Sequence, residues 1–169
     1  MEVDYVFPEA YVEGVESHKY LCSLDDSYIV TTTTSYKDLN CKKLYGLVPY
    51  EKTMEYIDLV EAYTKRSIAV LWSDKSKGGY TGYLLREKTP LCLQEVVGSN
   101  IYVLRREGDT IRVGEHVAYT VSGKMEVRKV KSKCEGLIAL IIDRPWEEPR
   151  KTLLVIVSEY REINAGENT

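Results

Sequence analysis

Two histidines, one phenylalanine, two tryptophans and three methionines are all that this 169-residue chain holds of those types, and the scarcity excludes several chemistries. His18 and His116 are too few for a histidine-rich metal site, and neither has neighbours in sequence that mark a nucleophile and its base. Both read as surface or sheet residues. No apolar run approaches the roughly 20 residues of a helical membrane span. Charge of one sign is also lacking: a net −3 argues against a general nucleic-acid binder. The four cysteines, Cys22, Cys41, Cys92 and Cys134, include no C-x-x-C pair and no zinc-knuckle spacing. They are expected to be four separate reduced thiols behaving as small apolar residues. Met1-Glu2-Val3-Asp4 lacks the basic and apolar regions of a secretion signal, so the cytoplasm is the expected location.

Tyrosine is what the chain has in excess, with fourteen copies. Aromatic area that carries a hydroxyl suits half-buried sheet faces, which points to much β-structure. The excess reads as sheet architecture spread over both parts of the chain and not as a recognition surface. The length is a soft prior for one domain or one domain with an appendage, and a globule of this size buries roughly 70% of its extended-chain surface.

Residues 20–24 and 28–33 are β-branched or aromatic runs around Asp25-Asp26-Ser27, the pattern of a hairpin. From Thr53 to Arg66 the period changes: Met54, Ile57, Val60 and Tyr63 stand three apart, Thr53 is a candidate N-cap, and Glu61 with Lys65 forms an i, i+4 pair. These residues are expected to form an amphipathic surface helix packed on a sheet. Residues 68–72 are a continuous apolar run, read as a strand covered on both faces. The loop at 73–79 does not resemble a phosphate-binding loop, because its Lys-Ser lacks the preceding glycine frame. Residues 80–85 can form a further strand, and Lys88-Thr89-Pro90 is the natural boundary between two parts.

After residue 90 short strands alternate with glycine turns. Expected strands are 91–97, 101–106, 110–113, 116–121, 125–131 and 137–142, a spacing that means a small barrel or sandwich. Glycine-led segments at Gly98 and Gly136 open equivalent apolar strands and hint at an internal two-fold repeat.

The stretch Glu107-Gly108-Asp109-Thr110-Ile111-Arg112-Val113-Gly114-Glu115-His116-Val117 resembles the G-D-x-V-x-x-G-x-x-V segment of biotinyl and lipoyl carrier domains. Lys124-Met125-Glu126 resembles the second half of the biotinyl Met-Lys-Met-Glu hairpin, and Ser132 to Ile138 parallels the segment that follows it. The resemblance covers residues 94 to 142 and implies a barrel-sandwich hybrid. Gly-Glu-His-Val-Ala-Tyr, Ser-Gly-Lys-Met-Glu-Val-Arg, Cys-Glu-Gly and Pro-Trp-Glu-Glu-Pro, in that order, resemble an uncharacterised archaeal family that carries such a domain behind an extra N-terminal segment and has no assigned activity.

In carriers the lysine at the hairpin tip bears covalent biotin or lipoate, so the resemblance makes Lys124 a candidate attachment site. Ser122 and Gly123 replace the residues before the carrier lysine, and Lys133-Cys134 has no proline. One extra residue lies between Glu126 and Gly136, and Val127 and Val130 are three apart; both fit a β-bulge just after the hairpin. A plain turn lysine is therefore favoured over a modified one.

Between Val97 and Lys133 eight basic residues face four acidic ones, whereas residues 1–60 carry eleven acids against five bases. Arg128, Lys129 and Lys131 are candidate interaction residues for an anionic partner or for the acidic half of another copy, and a solvated barrel face is the plainer reading. The segment lacks the stacking aromatics of a single-strand binder. Trp146, in Pro145-Trp146-Glu147-Glu148-Pro149, is either a recognition anchor or, preferred, a lid on its own barrel mouth. Residues 161–169 read as a frayed tail.

The expected architecture is mainly β: an N-terminal α/β extension with one helix (1–90) packed on a biotinyl/lipoyl-like barrel-sandwich hybrid (91–160). The expected function is a non-catalytic binding or assembly module without a cofactor, with a protein partner or self-association and neither nucleic acid nor membrane. The rival readings are a carrier modified on Lys124 and an enzyme whose site lies between the two parts, using Cys134, Lys124 or Glu126.

Overall fold

A computed structural model describes residues 6–168. Met1-Glu2-Val3-Asp4, read above for a targeting signal, lies outside the described residues. The chain is mainly β. Its strands are β1 (Glu9–Glu13), β2 (Lys19–Ser23), β3 (Tyr28–Thr32), β4 (Lys43–Val48), β5 (Ile57–Asp58), β6 (Tyr63–Thr64), β7 (Ile68–Asp74), β8 (Gly79–Leu85), β9 (Cys92–Val97) and β10 (Asn100–Val103). They continue with β11 (Thr110–Ile111), β12 (His116–Val121), β13 (Val127–Lys131), β14 (Gly136–Arg144), β15 (Lys151–Val157) and β16 (Arg161–Asn168). No helix among the described residues is long and apolar enough to cross a membrane. Two compact units result: Met1–Asp58 with Thr64–Lys88 and Tyr160–Thr169, and Leu59–Tyr63 with Thr89–Glu159.

The first unit is a closed seven-stranded barrel in the order β1-β4-β2-β3-β16-β8-β7, with β7 pairing back to β1. Every pair is antiparallel except β3 with β16. Alternation along the strands sends Tyr11, Leu21, Val30, Tyr45, Leu71, Leu84 and Ile163 into one core, as period-two side-chain placement requires. Each such buried aliphatic side chain contributes about 1.5–3 kcal/mol. The hairpin read around Asp25-Asp26-Ser27 is β2–β3, paired from Lys19↔Thr32 to Ser23↔Tyr28. In the continuous apolar run, Ile68, Ala69, Val70 and Leu71 are all fully buried. Because β1 and β2 are both antiparallel to β4, the link between them recrosses β4. It passes so close that a Cβ on Gly46 would sit 2.0 Å from the Val15 carbonyl oxygen, and only glycine fits there.

Three expectations for this part are corrected. The N-terminal α/β extension is a closed barrel of its own, and the expected helix is absent. Residues Tyr50–Tyr56 form a 3₁₀ helix, and the chain then extends through Ile57–Asp58 and turns back at Ala62 (φ 57°). Thr53 is buried inside that turn, its hydroxyl donating to the Tyr50 carbonyl at 2.7 Å, and is not the N-cap. The three-residue spacing does not describe one face: Ile57 is buried while Val60 is 90% exposed. β-Branched Thr53, Ile57, Val60 and Thr64 resist the helix, and tertiary bonds fix the alternative, with Lys65 N–H donating to Tyr56 and the Thr64 hydroxyl to Arg86. Residues 161–168 are not a frayed tail. They form β16, which closes the barrel between β3 and β8 and buries Ile163 and Ala165.

The cysteines are not free thiols either. Cys22 is bonded to Cys41 and Cys92 to Cys134, with Cα separations of 5.3 and 6.0 Å, inside the range a disulfide spans. The first pins the β3–β4 connection to β2; the second ties β9 to the segment ahead of β14.

The second unit consists of two antiparallel sheets, β10-β12-β13 and β11-β14-β15-β9. Val117 and Ala118 from one and Val96, Ile111, Ile138, Leu154 and Ile156 from the other share a single aliphatic core, with Ile101, Val103 and Val130 packed against it. The two glycine-led segments fall in different sheets, β10 at an edge and β14 in the interior. Gly136 (φ 143°) has Val157 O only 2.2 Å from where a Cβ would stand.

Candidate functional site

The hairpin β12–β13 is built by one serine. Ser122 N–H donates to Glu126 O at 2.9 Å and Met125 N–H to Ser122 O at 2.9 Å. The Ser122 hydroxyl then accepts from the amides of Lys124 (3.2 Å) and Glu126 (3.1 Å). Met125 takes a left-handed conformation (φ 63°) to complete the turn. Lys124 and Met125 are thereby presented to solvent at the tip, Met125 at 79% exposure.

The bulge inferred after the hairpin is elsewhere. β13 runs in unbroken register from Val121↔Val127 to Ala118↔Val130, and the shift lies in β12 between His116 and Ala118. Val130 therefore points to the core and Val127, 61% exposed, to solvent. Alternation places Val127, Lys129 and Lys131 on the outer face and Arg128 on the opposite one, so the three named cations do not form a single patch. On the outer face Tyr102 and Tyr119 are direct cross-strand partners whose rings stack at 4.8 Å and 16°. Leu104, His116, Tyr119, Val127 and Lys129 line a groove of about 380 Å³ beside them.

Residues 106–115 hold two turns of the same build. Asp109 accepts the Arg106 amide at 2.9 Å while its own amide donates to Arg106 O; Glu115 does the same with Arg112 at 3.0 Å. Gly108 and Gly114 supply the positive φ each turn needs. Arg-x-Gly-acid, written twice in the sequence, was the readable signal for this. Glu115 also pairs with Arg105 at 3.1 Å, so part of the local positive charge is neutralised. The link from β13 to β14 is held by Gln94, whose amide donates to Lys131 O and accepts from Lys133 N, both at 2.9 Å.

Trp146 is 66% exposed, which overturns its reading as a packed lid. Its loop is shaped by Arg144, which pairs with Glu147 and, at 3.7 Å, with Glu95. The loop joins β14 to β15 and so belongs to the sheet that does not contain the basic strand. Cys134 is 3% exposed and disulfide-bonded, which removes its thiolate from the three groups that the enzyme reading offered. Among the described residues no group of three or more His, Cys, Asp and Glu could hold a metal.

A second concavity lies at one end of the barrel, about 590 Å³, lined by Pro8, Glu9, Glu16, Leu47, Pro49 and Tyr50 among others. Glu9 is oriented there by Lys19 Nζ at 3.1 Å and the Tyr11 hydroxyl at 3.3 Å, and Lys19 also donates to Tyr80 at 3.2 Å. Burial, with the Glu9 charge behind it, drives the Tyr11 phenol far above the ordinary tyrosine value. Burial lowers Lys19, but the bonds to Glu9 and Tyr80 outweigh it and raise its pKa. Glu16 is exposed at the rim.

A family described as "Uncharacterized protein conserved in archaea (DUF2118)" matches residues 5–159, a span that includes strands of both units. The chain belongs to that archaeal family. No protein of curated function matches it.

Proposed function

We propose that this family member is a non-catalytic binding or assembly module whose two-sheet unit is a biotinyl/lipoyl-like barrel-sandwich hybrid without an attached cofactor. It docks a protein partner through the outer face of β10-β12-β13. The observation that carries the reading is the exposed strip of Tyr102, Leu104 and Val127 beside the stacked Tyr102–Tyr119 pair, bordered by Lys129 and Lys131. Aromatic and aliphatic surface inside a polar rim is the anatomy of a protein interface. Neither nucleic acid nor membrane enters this reading. Cytoplasmic residence belongs to this reading; disulfides occur in the intracellular proteins of some archaea as well as in secreted proteins.

The test is a photo-crosslinking residue at position 127 of the full chain, expressed in its native cells. A defined protein adduct that Tyr119→Glu abolishes is expected; labelling of solvent alone overturns the reading. A carrier modified on Lys124 is the second reading, supported by the placement of Lys124 at an exposed hairpin tip. Intact-mass measurement of protein from native cells separates the two: the unmodified mass is expected, and an added biotinyl or lipoyl mass that Lys124→Arg removes establishes the carrier.

A further inference from the structure

Independently of the docking reading, we propose that the disulfide Cys92–Cys134 is a thiol-exchange site, opened in the folded protein by a dithiol that attacks at Cys92. The two ends of this bond differ. Cys92 is exposed on β9, whereas Cys134 is 3% exposed and belongs to the aliphatic core with Val96, Ile111 and Ile138. A thiolate attacks one sulfur and expels the other, so access decides which sulfur is attacked. Cys92 is the end that a reagent in solvent meets, and Cys134 is the end that leaves. The disulfide of the barrel lacks an exposed end, since Cys22 is fully buried and Cys41 half-buried.

The segment that carries Cys134 is also held to β9 by hydrogen bonds. Gln94, on the same face of β9 as Cys92, is 4% exposed. Its side chain donates to Lys131 O and accepts from Lys133 N, both at 2.9 Å. The Ser132 hydroxyl accepts from Cys134 N at 3.1 Å and donates to Cys134 O at 2.6 Å. Ser132 O accepts from Gly114 N at 2.9 Å, and Ser132 N donates to Glu115 O at 2.7 Å. Both sulfurs therefore stay within reach once the bond opens. After attack by a monothiol the freed Cys134 re-closes and expels the reagent from Cys92, so net opening needs a reagent whose own second thiol completes the exchange. In the first step a thiolate of the dithiol bonds to Cys92 Sγ, the S–S bond breaks, and Cys134 takes up a proton. In the second, the other thiol gives up its proton and bonds to the first reagent sulfur, releasing Cys92, which takes up a proton. Two electrons and two protons pass to the protein, and the dithiol ends as a disulfide. What opens is one covalent tie behind β13, the strand that carries Val127 and Lys129.

The experiment treats the full chain with dithiothreitol under native conditions, quenches it in acid at intervals, alkylates it after unfolding and maps all four cysteines by mass spectrometry. Cys92 and Cys134 are expected to become labelled together, at least tenfold faster than Cys22 and Cys41 and faster than the chain unfolds by circular dichroism. Glutathione at the same thiol concentration should open the pair at least tenfold less. The direction of attack is read with glutathione disulfide on two variants. Cys134→Ser should form the mixed disulfide at Cys92 at least tenfold faster than Cys92→Ser forms it at Cys134. Opening of both disulfides together, opening only at the rate of unfolding, or opening by glutathione as readily as by dithiothreitol overturns the proposal. Equal coupling at the two single cysteines does so as well. Should either variant fail to fold, the order of labelling in the wild type decides.

Discussion

The barrel and the two-sheet unit place their tyrosines in opposite ways. In the barrel Tyr11 and Tyr45 are fully buried, and Tyr28 and Tyr80 pack against the same core. A closed sheet of seven strands leaves an interior that long side chains must fill, and the Tyr11 and Tyr80 phenols find Glu9 and Lys19 as partners. In the two-sheet unit the core is aliphatic and the stacked pair, Tyr102 and Tyr119, lies outside. The same residue type is therefore architecture in one unit and surface in the other. Edges differ in the same sense. Closure abolishes them in the barrel, while β13 remains an edge that Lys129, Lys131 and Arg128 protect from further pairing.

The largest effect that can break this contrast is reduction. Loop-closure entropy assigns about 4 kcal/mol to Cys92–Cys134, which spans 42 residues, and about 3 kcal/mol to Cys22–Cys41, which spans 19, on the chain-entropy account. Hydrogen exchange of the full chain with and without reductant reads each unit separately. The two-sheet unit should lose more protection; an equal loss would show that its sheets hold without the staple.

A smaller effect separates the units by pH. Burial pushes the Tyr45 phenol up to about 12, with Glu13 and Tyr28 adding to it and Arg86 opposing, and Tyr11 rises further. A folded pKa above the unfolded one means the native state holds its proton longer, so stability is full below about pH 10 and falls as pH rises through the folded value. Lys19, also raised, acts in the same direction. Exchange at about pH 10–11.5 should therefore loosen the barrel first, because the core of the two-sheet unit is aliphatic and holds no tyrosine. Tyr11→Phe should blunt the alkaline loss, and an unchanged profile would refute this account of the barrel.

Local structure is legible in the sequence. Asp25-Asp26-Ser27 marks a turn by its own chemistry, and so do Gly108, Gly114 and Gly123. Structure decided at a distance is not. Nothing near Ile163 says that it will lie in the barrel core beside residues from the start of the chain, and β16 pairs with β3 across more than 130 residues. The cysteine pairs are hidden for the same reason. At residues 53–66 a three-residue spacing fits both a helix and a turn, and the Thr64 bond to the distant Arg86 carbonyl holds the turn. For the candidate site, Lys124 on a hairpin is visible in Ser122-Gly123-Lys124. The outer face is not, because Tyr102 and Tyr119 become neighbours only once strand register is known.

The smallest expected effect joins the comparison to the site. Ser122→Ala removes the acceptor for the Lys124 and Glu126 amides. Both amides lie in exposed residues, so water replaces much of the lost bonding and the cost is about 1 kcal/mol. That is a small fraction of the stability of either unit, and its consequence is local: exchange at residues 122–126 should rise while β14 and β15 stay protected. Ser122→Asp, which keeps an acceptor for the same two amides, should restore protection.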